Sequence, residues 1–408
     1  MTSLTPQEIM LAAALVFGIA TTCQVVAPLL RIPALILLLP AGFLLGMAAP
    51  QFRMDQILGS AFPVAVDLMV AVILFQGGLE LGTISLARGD KAVVSRLLWL
   101  GAPVTWGVAA VATHFLIGLD WPLATLLGAI LIVSGPTVLN PILDFAQPTQ
   151  RVRGVLMWEG TTLDPIGGIL AVVIFQVIRV SNTETPADAV IAFVFSIAVA
   201  VVVAAAGVAL SVLGIKAARG NKVIGTQVLI GTILAAAGFA NFLSDDSGLL
   251  TALLMGVASY PIAKRMHAPL EATVPFFSTV ASFGIGVLFV SIAALVPAAL
   301  VVSVALPALA VALVLMVVVR PAVTALSSRK SSLTRNERIF IACMDPRGIV
   351  AAATASSVGA ALIAAEVPGA AELLPAAFVI IAVTVFVYGL SATPLAKALG
   401  VREPSDTG

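Results

Sequence analysis

Six charged side chains lie inside stretches of this sequence that are otherwise apolar. They are Asp67, Glu80, Glu159, Asp164, Asp345 and Arg347. A charged side chain at the centre of a lipid bilayer costs at least about 2.5–3.5 kcal/mol, so each of them is a candidate functional residue. Asp67 and Glu80 lie near opposite ends of one stretch, where a carboxylate that reaches the membrane surface is an equally good explanation.

Glu159 and Asp164 both lie in the interior of a single apolar stretch. On a helix of 3.6 residues per turn, their five-residue separation directs them to different surroundings. Asp164 shares its helix face with Gly160 and Thr161, and Pro165 cannot donate a hydrogen bond to the carbonyl oxygen of Thr161. A carboxylate, a hydroxyl and an unpaired carbonyl are hard oxygen ligands of the type that a small cation prefers. The alternative is a proline kink whose acid is hydrogen-bonded to a neighbouring helix.

The guanidinium group of Arg347 needs a counter-charge, because arginine stays protonated in proteins. We predict Glu159 as its partner, since this acid points away from Asp164. Asp345 is the competing acid close by in the sequence. If Arg347 holds Glu159, Asp164 is the central carboxylate that stays free to exchange its ligand.

The composition excludes a water-soluble enzyme. Of the 408 residues, 60% are hydrophobic and 10% are charged, and the mean hydropathy is +1.14, whereas ordinary soluble domains are about 25% charged. The net charge of +1 provides no basic face for nucleic acid. Cys23 and Cys343 lie in apolar runs and form neither a disulfide framework nor a metal-ligand cluster, and we expect no cofactor. The first apolar run has no Lys or Arg before it, so we expect a retained helix rather than a secretory signal.

Apolar stretches bounded by proline, glycine and charges predict an all-α polytopic membrane protein with about thirteen transmembrane helices. Their approximate limits are 8–30, 33–50, 63–83, 93–117, 122–146, 154–178, 188–214, 223–242, 247–261, 273–295, 299–325, 336–364 and 373–398. We assign residues 1–400 to one transmembrane transporter domain and residues 401–408 to a short cytoplasmic tail.

The distribution of basic residues predicts the orientation of these helices. If successive connections between spans lie on alternate sides of the membrane, 18 of the 21 Lys and Arg residues fall on one side, Arg320 among them. Arg53 and Arg179 fall on the other side, and Arg347 lies inside a span. The other side carries acids that include Glu184, Asp245 and Asp246. Because Lys and Arg gather on the cytoplasmic side, we predict a multi-pass protein of the plasma (inner) membrane with its N-terminus outside and its C-terminus in the cytoplasm.

Two of the predicted spans look broken. The fifth carries Ser134-Gly135-Pro136-Thr137, and the twelfth carries Asp345-Pro346-Arg347. Irregular backbone at membrane depth survives only where it is buried in protein or lines a watery cavity. The breaks occupy the fifth position of two six-span blocks, 8–178 and 223–398, which the span at 188–214 links in opposite orientation. Inverted repeats with discontinuous crossing helices mark many secondary transporters. The two blocks correspond in topology only, because no residue-level repeat is evident.

These residues carry a family resemblance that covers essentially the whole chain. It rests on the segment 75–81 (Phe-Gln-Gly-Gly-Leu-Glu-Leu), on Ser134-Gly135-Pro136, on Glu159 to Asp164, and on Pro346-Arg347-Gly348-Ile349-Val350. The chain resembles a monovalent cation–proton antiporter of the sodium/proton exchanger group, NhaP-type. The resemblance implies a homodimer and a transporter rather than an enzyme.

The resemblance also implies roles for individual residues. Asp164 matches the aspartate that binds the ion and the proton, Glu159 and Arg347 match a buried ion pair, and Glu80 matches an acid that helps cation binding in some relatives. Ser134 stands where a threonine often contributes, and Gly160 where a serine ligand can occur, so we take Thr161 as the substitute hydroxyl. Two departures are Leu163 in place of an asparagine and Gly135 in place of an aspartate. The first leaves one carboxylate and favours electroneutral one-for-one exchange.

Competition at one carboxylate is the mechanism that these residues favour. Burial favours the protonated form of Asp164, and a nearby cation favours the ionised form. Na⁺ is our preferred cation over K⁺ and Li⁺, and no phosphate-binding loop for ATP is present. A sodium-coupled organic-anion symporter is the main alternative, but the one intramembrane base that the sequence indicates is already paired. An intramembrane aspartyl protease is disfavoured, because Asp164 has no evident aspartate partner at matching depth.

Overall fold

The computed structural model describes residues 5–83, 86–179, 186–219, 221–244, 247–265 and 274–403. These residues are helical, with one isolated β-bridge between Pro148 and Arg402. The helices, in chain order, are α1 (Pro6–Leu30), α2 (Leu35–Ala48), α3 (Met54–Leu58), α4 (Ala61–Thr83), α5 (Arg88–Ile117), α6 (Trp121–Ile130), α7 (Pro136–Ala146), α8 (Gln150–Arg179), α9 (Pro186–Ala217), α10 (Lys222–Leu243), α11 (Ser247–Arg265), α12 (Val274–Ala294), α13 (Ala298–Ser327), α14 (Arg335–Ala342), α15 (Ile349–Ala364) and α16 (Leu373–Ala398).

Among the described residues, nine helices are long and apolar enough to cross a membrane, and α2, α6 and α15 are shorter apolar helices. Helices overlap every stretch from which a span was predicted. The all-helical membrane architecture is therefore confirmed, whereas the number of crossings and the inverted repeats stay predictions. Glu184, Asp245, Asp246 and residues 404–408 of the predicted tail lie outside the described residues.

The two predicted breaks are interruptions of helical structure. Residues 131–135 separate α6 from α7, and residues 343–348 separate α14 from α15. Pro136 begins α7, a position where proline is favoured because its missing N–H has no helical partner there. Thr334 and Glu337 form a capping box that starts α14. Each interruption creates helix ends inside the first unit, and a helix end has backbone groups that lack intrahelical partners.

The chain forms two compact units. The first contains Met1–Phe62, Leu86–Gly167 and Gly286–Gly408, and the second contains Pro63–Ser85 and Gly168–Ile285, as far as these segments are described. In the first unit α5 packs along α6, and α16 packs against α7, α13 and α15. Two long helices of this unit contain π-helical turns, at Leu97–Gly101 in α5 and at Val314–Val319 in α13. The second π turn ends directly before Arg320.

The second unit has an apolar core of its own. Phe75 on α4 and Phe277 on α12 are fully buried, with ring centroids 5.1 Å apart. Leu229 on α10 and Met255 on α11 complete the centre of this cluster. Ile169, in the later part of α8, packs in a smaller cluster that includes residues of α9 and α11.

Candidate functional site

Asp164 is completely buried in α8, within the first unit. Within the described part of the chain, neither of its carboxylate oxygens has a hydrogen-bond partner. A buried ionised carboxylate without a partner is strongly unfavourable, so such a group either holds a proton or binds a cation. This is the chemistry that the sequence assigned to Asp164.

The carboxylate of Asp164 lies directly against the first interruption. A Cβ atom built on Gly135 would overlap both carboxylate oxygens of Asp164. The backbone of Gly135 is extended, with φ −96°, so the requirement for glycine is one of space and not of backbone conformation.

Two threonine hydroxyls are buried in the same part of the fold. Thr161 on α8 and Thr137 on α7 are both inaccessible to solvent, and their oxygens have no hydrogen-bond partner among the described residues. Gly160 packs against the backbone carbonyl of Ser134, because a Cβ built on Gly160 would lie 2.6 Å from that oxygen. Ser134 itself is buried at the interruption.

Glu159 forms a buried ion pair with Arg320 and not with Arg347. Both terminal nitrogens of Arg320 donate to the carboxylate, with Nη2 2.8 Å from Oε2, and Nε donates to the carbonyl of Ile341 at 3.2 Å. The predicted partner was wrong because Arg320 was assigned to a cytoplasmic connection. Arg320 instead lies inside the 30-residue helix α13 and is 5% exposed.

Arg347 pairs with Asp345, the competing acid of the sequence analysis. Its Nη2 lies 2.8 Å from Oδ2 of Asp345, and its Nη1 donates to the carbonyl of Ile132 at 3.2 Å. The backbone N–H of Arg347 donates to the hydroxyl of Thr384 at 3.2 Å. Because residues 343–348 are not helical, the chain around Pro346 brings the acid and the base two residues apart into contact.

The two interruptions meet in the first unit. A Cβ built on Gly348 would lie 3.1 Å from the backbone nitrogen of Gly135 and 3.3 Å from the hydroxyl of Thr137. A small cavity borders both ion pairs, and its lining includes Glu159, Arg320, Asp345, Arg347, Ile132 and Leu163. The crossing of the broken helices thus combines two satisfied charge pairs with one carboxylate that has no protein partner in the described chain.

Glu80 belongs to the second unit, on α4. Its carboxylate accepts a hydrogen bond from Nε2 of Gln76, at 3.1 Å. Among the other predicted site residues, the structure brings Asp164, Gly135, Gly160 and Ser134 together, and joins Arg347 and Asp345 at the second interruption.

Arg320 is the residue that sequence reasoning missed at this site. It follows a long apolar run and precedes Pro321, and although the predicted span 299–325 contains it, it was counted with the cytoplasmic basic residues. The available signal was the apolar stretch Ala322–Val323 beyond it, which continues the helix to Ser327. A base placed about two turns before a helix end can point inwards.

Comparisons with known proteins agree with this architecture. Residues 12–398 match the family model described as sodium/hydrogen exchanger, transmembrane. A Methanocaldococcus jannaschii protein named "Probable Na(+)/H(+) antiporter 2" is 24% identical, over 93% of this chain and 94% of its own. The K(+)/H(+) antiporter NhaP2 of Shewanella sp. (strain MR-4) is 25% identical, over 97% of this chain and 67% of its own.

The solved structures include a chain of the same fold. The sodium proton antiporter MjNhaP1 from Methanocaldococcus jannaschii, at pH 8, superposes with a TM-score of 0.80 at 21% identity, over 96% of this chain and 99% of the other. With the family match over nearly the whole sequence, the conclusion is direct. The chain belongs to the sodium/hydrogen exchanger family of monovalent cation–proton antiporters.

Proposed function

We propose that this protein exchanges a monovalent cation, Na⁺ in preference to K⁺ or Li⁺, for protons at the single carboxylate of Asp164. One observation carries the proposal. Asp164 is fully buried and lacks a hydrogen-bond partner among the described residues, whereas Glu159 and Asp345 are each neutralised by an arginine. The carboxylate that is left over is the one that can trade a proton for a cation.

The oxygen atoms around Asp164 are our proposed cation ligands. Thr161 contributes a hydroxyl one helical turn before the carboxylate, and Ser134 contributes oxygen from the interruption. Gly160 supports the site by letting the carbonyl of Ser134 approach α8. Glu80 is proposed to help cation binding, on the strength of the family resemblance alone.

Alternating access couples the two fluxes. Asp164 carrying a proton or a cation is neutral, whereas the empty carboxylate carries a charge that is expensive to move through an apolar barrier. The loaded forms therefore exchange between the two sides of the membrane, and the empty form does not. Because the two ion pairs cancel their own charges, one proton exchanges for one cation and transport is electroneutral.

We propose the following membrane arrangement on the basis of the sequence. The chain crosses the membrane about thirteen times, with the N-terminus outside and the C-terminus in the cytoplasm, as the distribution of Lys and Arg favours. Residues 8–178 and 223–398 form inverted repeats, linked by the span at 188–214. The protein resides in the plasma membrane as a homodimer, as the family resemblance suggests.

K⁺ is the alternative cation, and the relatives give it a specific basis. The two relatives compared carry the names of a sodium and of a potassium antiporter, respectively. Hard oxygen ligands accept either ion, so only measurement separates them.

Transport in reconstituted vesicles tests the proposal. We expect Na⁺ to dissipate a pH gradient in proteoliposomes that contain the wild-type protein but no organic solute. Asp164→Asn is expected to abolish this exchange while the protein stays folded. The matched control is Asp144→Asn, which removes an exposed acid paired with Arg153 and is expected to transport normally.

Three results would contradict the proposal. Normal exchange by the Asp164→Asn variant would remove the single-carboxylate site. A higher rate with K⁺ than with Na⁺, compared at equal concentrations, would reverse the cation preference. A strict requirement for an organic anion would favour the symporter.

A further inference from the structure

At each interruption in the first unit, an arginine binds a backbone carbonyl near the end of the helix that precedes the interruption. Arg347 donates to the carbonyl of Ile132, two residues after the end of α6. Arg320 donates to the carbonyl of Ile341, in the last turn of α14. The C-terminal end of a helix carries partial negative charge and unsatisfied carbonyl groups. Each guanidinium group therefore binds one backbone carbonyl at, or just beyond, the end of the helix that leads into an interruption.

The carboxylates that balance these arginines come from different places. Glu159, on α8, neutralises Arg320. Asp345 lies in the second interruption itself and neutralises Arg347 at 2.8 Å. Both acids are buried, and the cavity that they line also contains both arginines. The crossing thus has no excess charge before Asp164 is counted.

The charge balance at Arg347 matters because the next residue, Gly348, forms the contact between the two interruptions. Gly348 packs on the backbone of Gly135, and Gly135 packs on the carboxylate of Asp164. An uncompensated guanidinium here would repel a cation arriving at Asp164, since charge interactions in a buried site are only weakly screened. Position 135 is a glycine and supplies no acid to the balance.

We propose that Asp345 is a positioning residue for transport: it neutralises Arg347, so that this guanidinium caps the carbonyl of Ile132 without repelling the cation from Asp164. This inference rests on the proposed function. It makes Asp345 neither a cation ligand nor a proton carrier. Its effect is electrostatic and acts through Arg347.

Charge removal in two steps tests this role. Asp345→Asn keeps the size of the side chain and leaves Arg347 unbalanced. We expect the apparent KM for Na⁺ to rise at least about fivefold, with a smaller change in the maximal rate. The double variant Asp345→Asn with Arg347→Gln removes both charges and keeps an amide donor at position 347. We expect its apparent KM to return to within about threefold of the wild-type value.

The controls separate a charge effect from misfolding. Asp144→Asn removes an acid from an exposed ion pair and should leave the KM unchanged. Thermal unfolding in detergent reports whether each variant folds. If Asp345→Asn does not fold while the double variant folds and transports with near wild-type KM, the proposal is supported.

Several results would overturn the proposal. An unchanged KM in Asp345→Asn would show that the charge is irrelevant. A double variant with a KM as high as that of the single variant would identify Asp345 as a direct ligand, and a double variant that does not fold would give the pair a structural role only. Failure of the proposed function has a different signature, because there the wild type does not exchange ions or Asp164→Asn remains active.

Discussion

At the scale of single residues, one close contact stands out beside the buried carboxylate of Asp164. The carboxylate of Asp164 occupies the space that any side chain at position 135 would need. A side chain at position 135 would therefore have to displace the carboxylate of Asp164 from its present place.

We predict that Gly135→Ala abolishes or strongly reduces cation–proton exchange. The new methyl group would displace the carboxylate of Asp164 from the interruption. The measurement is the rate of Na⁺-dependent proton movement in proteoliposomes at matched protein density. Gly107→Ala is the matched control, because a Cβ at Gly107 meets no atom within 4 Å. Full activity of the Gly135→Ala variant would show that Asp164 tolerates another position.

We predict that Glu159→Gln destabilises the protein far more than Asp164→Asn does. Removing Glu159 leaves Arg320 buried without its carboxylate, and breaking a buried ion pair costs about 3–5 kcal/mol. Asp164 has no protein partner among the described residues to lose. Thermal unfolding in detergent should show a large decrease in Tm for Glu159→Gln only. Equal Tm values for the two variants would contradict this division of roles.

At the scale of elements, the broken helices and the long helices contribute different groups to the centre of the first unit. The interruptions at 131–135 and 343–348 bring backbone groups to the centre of the first unit. The long helices α8 and α13 supply Glu159, Asp164 and Arg320. A π-helical turn directly before Arg320 adds a residue to the helix turn and shifts the direction of the side chains after it.

The segment after α16 is joined to the connection between α7 and α8. The N–H of Thr149 donates to the carbonyl of Val401 at 2.8 Å, and the N–H of Glu403 donates to the carbonyl of Gln147 at 2.9 Å. Asn336 on α14 donates to the carbonyl of Leu399, also at 2.8 Å. The end of the described chain thus holds the starts of α8 and α14, the helices that lead towards the crossing.

We predict that Glu403→Pro lowers the stability of the protein by about 0.5–1.5 kcal/mol, the net contribution of one hydrogen bond. Proline removes the donor to Gln147, and the extended conformation of Arg402 suits a following proline. Glu403→Ala is the control, because it keeps the N–H group. Thermal unfolding should separate the two variants, and identical Tm values would mean that this pairing contributes nothing.

At the scale of the whole molecule, the balance of buried charges bears on how the proposed transport cycle responds to voltage. The two buried ion pairs leave Asp164 as the one uncompensated acid among the described residues at the crossing. A cycle that moves Asp164 only when it carries a proton or a cation transfers no net charge.

We predict that the rate of Na⁺–proton exchange does not depend on membrane potential. In everted vesicles, the permeant anion thiocyanate should collapse the potential without changing the Na⁺-dependent loss of the pH gradient. An electrogenic exchanger would change its rate under the same treatment. The Asp164→Asn variant provides the background, since it should show no Na⁺-dependent signal in either condition.

The sequence by itself determined the class of the protein, the approximate positions of its apolar helices and the residues worth testing. A membrane-spanning helix needs about 20 apolar residues because of the thickness of the bilayer, so hydropathy locates the spans. The combinations of glycine and proline at 135–136 and 346–348 located the two interruptions, whereas Pro165 alone does not break α8. Asp164 could also be identified from the sequence, because an acidic side chain within an apolar span is costly in free energy.

Only the tertiary structure decided which charges pair and which carboxylate is left over. Arg320 is 161 residues from Glu159 in the sequence, and a base near the end of an apolar run can equally well reach the membrane surface or turn inwards. The contact between Gly135 and Asp164 likewise depends on two helices meeting at one point. Pairing inside a membrane protein is a matter of three-dimensional distance, and periodicity along one chain carries no information about it.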